Sequence, residues 1–516
     1  MTTVRSRPGE KRLGNNQSQP VRNTDTRFEI DLGLEKQGPS SQALYRGLKA
    51  AIVDGRLTAG AKLPPARKSA AFFGVSRNTA GDVYAQLLYE GFVVTRHGSG
   101  TYVAESVSGS RRAKRDGGIP DPRLSAFWLR PDTKAAMNFW RDQTEDWPRQ
   151  PDASTIDFRP AMVDPRLFPF DLLRKVSADQ LRGLQRKPAR FKSPQGNQGN
   201  HHLRNAIRSH ISLTRAVACQ ADEIVVTSGA QQAFDLLARV LVSADKTIVA
   251  VEDPGYPPMR VPFAAAGARI VPVSVDDEGL IVEGLPADVN VICLCPSHQF
   301  PLGVSMSMRR RASLIDFARR RGALIVEDDY DGEFRYEGTP LQALRTSEAA
   351  DVVFYVGTFS KCMLPSLRLG FIVAPVWALQ SLIAAKNCLD WHCATPIQTV
   401  VAGFIQDGHL RRHVRRMLGI YKRRRQQVLD SIRGELSEWL TPVPSLYGMH
   451  VAAAAHSPVD LDRVAEESLA ENVKLHAFSR YYLGPQTRQG LIFGFGTAGL
   501  SEIAGGISRL RKLLRR

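Results

Sequence analysis

Lys361 directly follows a serine at the end of a β-rich run, YVGTFSKCMLPSLRLG (355–370). Two hydroxyls and a cation lie close to it in sequence. Thr358, Ser360 and Arg368 can hold a phosphate. Pyridoxal phosphate needs such a set: an amine for its aldehyde, hydroxyls and a cation for its phosphate, and an acid for its ring nitrogen. A Ser-Lys pair by itself is more often a surface lysine, so the reading rests on three further motifs. IVEDDY (325–330) places Asp328 and its neighbours at the end of a buried-looking strand, where ligands bind in open α/β sheets. TSGAQQA (227–233) ends a strand in a small-residue turn before an apolar helix, whose N-terminus favours phosphate. EDPGYPP (252–258) presents Tyr256 on a loop after another strand, able to stack on an aromatic ring. Each motif alone is ordinary structure. Four of them on successive strand ends of one sheet point to a pyridoxal phosphate pocket.

A different chemistry is written near the N-terminus. In GVSRNTAGDVYAQLLYEG, Ser76 is a natural N-cap, and Arg77, Asn78 and Thr79 fall on the first turn of the helix it starts. A recognition helix presents such side chains to the DNA groove. Arg pairs with guanine, Asn pairs with adenine, and Ser and Thr hydroxyls hold phosphates. Between Ser41 and Ala104 there are eight Lys and Arg residues against three Asp and Glu, a balance that suits double-stranded DNA.

The elements that position these residues follow from the patterning. Leu44, Leu48, Ile52 and Val53 share one helical face, and Gly55 and Gly60 end that pattern. A second helix fits 66–73, and a third runs from Ser76 to about Glu90, with Leu87 and Leu88 turned to the core. Strands at 92–96 and 101–104, joined by HGSG, complete a winged helix-turn-helix. Farther on, EIVVTSG, TIVAVEDPGY, VNVICLCPSH, ALIVEDDYD and DVVFYVGTFSK read as buried parallel strands. Helical patterns between them imply crossovers in one mostly parallel sheet.

Length and composition agree. A chain of 516 residues, 43% hydrophobic and 23% charged, is globular and has room for two to four domains. Its net charge of +18 favours a polyanionic partner. Six scattered cysteines without a C-x-x-C pair suggest free thiols in a reducing compartment. The first residues carry no secretory signal pattern. The longest apolar stretch, 371–385, is short for a membrane span and is interrupted by Pro375 and Gln380. The reading is a cytoplasmic protein without a membrane partner.

Two resemblances sharpen this picture. LPPARKSAAFFGVSRNTAGDVYAQLLYEGFVVTRHGSGTYV resembles the winged-helix domain of the GntR family. That likeness implies DNA contacts from Arg67, Ser76, Arg77, Asn78 and Thr79 on the helices, and from His97, Gly98 and Gly100 at the wing tip. SGAQQA, EDPGY, CPSHQFPLG, EDDYDGEF and GTFSK together resemble fold-type I aminotransferases in the form found in the MocR/GabR regulators, which fuse the two modules. The resemblance implies a small C-terminal α+β domain beside the main sheet. Composition and patterning along the chain set the expected bounds: a polar arm at 1–37, the winged helix at 38–104, a linker at 105–155 and the aminotransferase-like domain at 156–516.

Site roles follow from the same resemblance. Lys361 would be the Schiff-base lysine. Asp328 would pair with the pyridine nitrogen, Tyr330 with the phenolic oxygen, and Tyr256 with the ring face. Ser228, Gly229, Ala230, Gln231, Ser360 and Arg368 would surround the phosphate. Two features depart from aminotransferases. The loop CPSHQFPLG lacks the Asn that usually contacts the phenolic oxygen, a place that His298 or Gln299 could take. GLIFGFGTAGL (490–500) lacks the usual carboxylate-binding Arg, which leaves Arg480 as the candidate effector-binding cation. The expectation is a homodimeric, pyridoxal phosphate-dependent transcription regulator. It would sense a small primary amine (an amino acid, or a GABA- or taurine-like compound) by forming an external aldimine with it. A turning-over aminotransferase is the alternative.

Overall fold

Ser40 and Ser76 start helices in the same way. Each side-chain oxygen accepts a backbone N–H three residues on, from Ala43 at 3.2 Å and from Thr79 at 3.0 Å. The structure, a computed structural model, describes residues 40–105, 125–130, 133, 155–186, 197–338 and 342–516. The chain divides into two units, Met1–Asp121 and Pro122–Arg516. The predicted arm lies outside the described residues, as does most of the predicted linker, including Trp140 and Trp147.

In the first unit, helices α1 (Ser41–Val53), α2 (Ala66–Phe73) and α3 (Arg77–Tyr89) precede strands β1 (Val93–Arg96) and β2 (Gly100–Val103). The two strands pair antiparallel, as a wing requires. Leu44, Leu48, Ile52, Val83, Leu87, Val93 and Val103 make its core. Gly74, in the left-handed region at φ 67°, turns the chain from α2 into α3. Tyr84 of α3 donates to the Pro64 carbonyl at 2.9 Å and so fixes the start of α2. Two core assignments need correction. Val53 is 52% exposed and Leu88 is 41% exposed. Each adjoins a buried residue, and one step along a helix turns a side chain about 100° off the buried stripe.

The second unit is built on an eight-stranded sheet. Its strands are β4 (Ile224–Thr227), β5 (Ile248–Asp253), β6 (Arg269–Asp276), β7 (Gly279–Leu280), β8 (Val291–Leu294), β9 (Leu324–Asp329), β10 (Val353–Thr358) and β11 (Gly370–Val373), numbered after the two-residue β3 (Ile156–Asp157). The order across the sheet is β4-β11-β10-β9-β8-β5-β6-β7. Pairings from β10 to β6 are parallel, whereas β11 runs antiparallel to both of its neighbours. The five predicted strands all form. They are buried on both faces, which is why they read as unbroken β-branched runs. The long apolar stretch divides into β11 and the helix Leu379–Leu389, separated at Pro375.

A smaller antiparallel sheet, β12 (Leu440–Pro442), β13 (His450–Ala455), β15 (His476–Ala477) and β16 (Gly490–Gly494), follows the long helix His409–Glu435. The remaining strand, β14 (Val473–Lys474), pairs in parallel with β3. This is the small α+β part that the resemblance implied. All six cysteines are free. Among the described residues, no helix is long and apolar enough to cross a membrane.

Candidate functional site

The pleat of β9 sorts its acids. Successive side chains on a strand point to opposite faces, so Glu327 and Asp329 share one side and Asp328 takes the other. Glu327 accepts the backbone N–H groups of Leu344 at 2.9 Å and Arg345 at 3.1 Å. Asp329 accepts from Arg215 at 2.5 Å and from the Tyr355 hydroxyl at 2.6 Å. Asp328 faces a cavity of about 330 Å³. Its Oδ2 has a long contact of 3.8 Å from the Cys295 thiol, and its buried Oδ1 has no partner. Burial first, then the charges of Asp329 and Asp331, push its pKa up to about 8.

Strands β4, β5, β8, β9 and β10 all end at the same edge of the sheet, and the cavity opens there. Lys361, just past β10, donates to the Ala161 carbonyl at 2.6 Å. Burial lowers its pKa to about 8 against the pull of Asp331 and Asp328. About a tenth of its amine is therefore neutral at pH 7, far more than for an ordinary lysine, and this is the form that can attack a carbonyl.

The phosphate end is built by close approach. Gly229 sits at φ 79°, and a Cβ there would lie 2.8 Å from the Arg368 guanidinium. Arg368 donates to the Ser228 carbonyl at 3.1 Å, beside the N-terminus of the helix Ala230–Leu241. Across the register, Gly370 stands between Thr227 and Thr358. A Cβ on Gly370 would reach 2.9 Å from the Gly229 backbone, so glycine is required where the two phosphate turns meet.

Of the predicted cofactor residues, Ala230, Gln231, Tyr256, Asp328, Tyr330, Thr358, Ser360, Lys361 and Arg368 line this cavity. Ser228 and Gly229 lie behind it, shaping the turn that Arg368 grips. The fit to pyridoxal phosphate is direct. An unpartnered acid oxygen stands ready for a ring N–H, a helix N-terminus and Arg368 form an anion site, and an amine and an aromatic wall complete the set.

The loop without the usual Asn behaves differently from expectation. Gln299 donates to the carbonyls of Pro254 and Phe300, both at 2.7 Å, and locks the loop. His298 Nδ1 lies 2.8 Å from the Tyr330 hydroxyl and 3.0 Å from the Asp331 carboxylate. Neither residue lines the cavity, so neither substitutes for the Asn directly; His298 holds Tyr330 instead. Arg480 is also not among the lining residues, although His476 and Tyr481 on either side of it are. These two are joined at 2.6 Å. Burial, with Arg480 and Arg159 nearby, lowers His476 to about 3 and keeps it neutral. Sequence reading missed this pair, along with Gly370 and the wall Pro160–Val163. The β15 strand that places His476 has only two residues and leaves no periodic signal.

On the first unit, Arg67, Ser76, Arg77, Asn78, His97, Gly98 and Gly100 are exposed and Thr79 is half-buried. The Ser76 hydroxyl is committed to capping α3 and lies 2.8 Å from that of Thr79. Arg77 and Asn78 are thus the first α3 side chains free to reach outward.

Comparisons with known proteins agree with both units. Residues 40–103 match the bacterial regulatory proteins of the gntR family, and residues 168–487 match aminotransferase class I and II. The chain is 32% identical to the probable rhizopine catabolism regulatory protein MocR of Rhizobium meliloti, over 92% of this chain and 93% of that one. It is 29% identical to the pyridoxine biosynthesis transcriptional regulator PdxR of Corynebacterium glutamicum, over 91% and 95%. An archaeal alanine:glyoxylate aminotransferase structure aligns with TM-score 0.67 at 24% identity, covering 76% of this chain and 98% of that one. The chain therefore belongs to the MocR-type transcription regulators, in which a GntR-family DNA-binding domain is joined to an aminotransferase class I and II domain with pyridoxal phosphate as its cofactor.

Proposed function

We propose that this regulator changes its DNA binding when a small primary amine takes the place of Lys361 on the cofactor. The observation that carries the reading is the shared cavity. The Lys361 amine and the Asp328 acid open onto the same space as His476, Tyr481 and the wall Pro160–Val163, which are not needed to hold the cofactor. Pyridoxal phosphate, when bound, supplies the carbonyl carbon that primary amines attack. The protein supplies the rest. Lys361 gives a neutral amine that can be displaced, Tyr330 is fixed by His298, and the His476–Tyr481 pair meets the far end of the incoming amine. For an acidic effector, the candidate cation is Arg480, next to Tyr481 in sequence, which reaches the cavity only if its side chain turns toward it. The proposed working form is a homodimer, with residues 105–155 connecting the two modules.

A ligand shifts the regulator only through different affinities for its two states. The test is a screen of amino acids, ω-amino acids and amino sulfonates against the holoprotein, read as a change in the cofactor's absorbance band and in DNA affinity. An amine that moves both supports the reading. If amines move the band and DNA affinity never follows, the sensing role is wrong. Given an acidic effector, Arg480→Ala is expected to raise the concentration needed by a factor equivalent to roughly 2–5 kcal/mol. An unchanged titration removes Arg480 from the site.

Arg77→Ala is expected to weaken specific DNA binding by about 1–3 kcal/mol, the worth of one good base contact, and to leave cofactor capture intact. Operator affinity measured at fixed salt decides it. Equal affinities for parent and variant exclude Arg77 as a base reader.

A further inference from the structure

We propose that the helix His409–Glu435 carries a second, sequence-independent contact to duplex DNA, on an exposed stripe of Arg411, Arg412, Arg415, Arg416, Lys422 and Arg423. The proposal rests on the reading of the chain as a DNA-binding regulator and places a further DNA surface on its aminotransferase-like unit.

The helix has nine Lys and Arg residues against two acids, Asp430 and Glu435. Two of the nine serve the fold. Arg424 is buried, with Asp164 at 3.4 Å and the Gly496 carbonyl at 2.5 Å. Arg425 is buried over the Tyr336 ring and donates to the Ser445 carbonyl. The six stripe residues are exposed. Among the described residues, none of them lies within 4.0 Å of a carboxylate; Arg412 reaches the Asp407 backbone carbonyl and the His409 ring, and Arg416 the Leu167 carbonyl. The other arginine-rich helix, Met308–Arg321, is different. There Arg309, Arg310, Arg319 and Arg320 each pair with a carboxylate. Neutralisation within the chain is the rule on that helix and is missing on this one.

The stripe also works against its own helix. Arg411 and Arg412 stand in the first turns after the Gly408 N-cap, where the helix dipole favours acids, and the first turn holds none. Arg411 with Arg415, and Arg412 with Arg416, are like-charge pairs at i,i+4. Such an arrangement costs stability unless an external polyanion offsets it. From 411 to 423 the helix rises about 18 Å, a length over which duplex DNA presents on the order of ten charges. Guanidinium forks suit phosphates. The stripe carries no exposed aromatic side chain on which unpaired bases could stack, since Tyr421 is fully buried. The match is to a duplex backbone.

The test uses the full-length holoprotein and a random-sequence duplex of about 60 base pairs, with affinity measured across a salt series. Each phosphate contact contributes about 0.9 to the slope of log K against log salt. Arg411→Gln/Arg415→Gln/Lys422→Gln/Arg423→Gln is expected to flatten that slope by roughly 2–4 and to weaken low-salt binding at least tenfold. Borohydride capture of pyridoxal phosphate at the parent level shows that the variant is folded. Should it not fold, the single variants Arg411→Gln and Arg415→Gln must each lower the slope by about 0.9. Equal slopes for parent and variants overturn the stripe alone. A parent that binds no duplex at any salt overturns the regulator reading and the stripe with it.

Discussion

Lys361→Ala is expected to abolish covalent capture of pyridoxal phosphate while leaving the fold intact. Lys361 is the only lysine among the described residues that line the cavity, so no neighbouring amine can replace it. Its side chain reaches across to the Ala161 carbonyl and fills no packed core, so truncation enlarges a space that already exists. Borohydride reduction followed by mass spectrometry should find a pyridoxyl adduct on the parent and none on the variant. The parent's pH dependence follows from burial. The amine is depressed to about 8 from its ordinary 10.5, so the reactive neutral fraction grows as pH rises through about 8. Cofactor-free protein should take up pyridoxal phosphate faster across that window and level off above it. A rate still climbing toward pH 10, or an adduct surviving in the variant, would show that another amine is used.

Adjacent acids should give opposite results. Asp329→Ala strips the partner from Arg215, whose side chain is almost wholly buried. Breaking a buried ion pair from one side costs about 3–5 kcal/mol, because the remaining charge stays out of water without its paired anion, and the bond from Arg215 to the neutral Ser297 hydroxyl does not replace that charge. Urea unfolding should show a loss of that order, and the Tyr355 hydroxyl loses its acceptor as well. Asp328→Ala removes instead a buried carboxyl with an unpartnered oxygen. It should leave stability nearly unchanged or slightly raised and sharply weaken cofactor retention. Equal destabilisation by both variants would mean that the strand's alternation does not divide the acids between fold and cofactor.

The motifs legible in sequence were those set by local rules. Buried parallel strands reveal themselves as β-branched runs, and most cofactor residues lie at the end of one of them or within a few residues beyond it. Ser76 announced α3 because capping is a three-residue event. The sequence was opaque where tertiary approach decides. His476 and Tyr481 meet the cavity through a two-residue strand. Gly370 matters only because an antiparallel strand brings it against Gly229. Gln299 was open to a cofactor role until the fold placed its amide on two backbone carbonyls. Val53 and Leu88 differ for a simpler reason: both are apolar, but each stands one helical step beyond the buried stripe and turns to solvent.

The cavity draws its walls from two sources, and this has an evolutionary consequence. The cofactor-facing groups sit at the ends of the eight-stranded sheet, where Gly229, Gly370 and Arg368 leave almost no room for change. His476 and Tyr481 come from the small sheet and the short turn after it, and Pro160–Val163 from an irregular segment after β3. Substitution there can reshape the far end of the site without disturbing the chemistry at Lys361. On the amine-sensing function proposed above, a lineage of such proteins can therefore acquire new signals by drift at a few wall positions while the cofactor end of the site is kept.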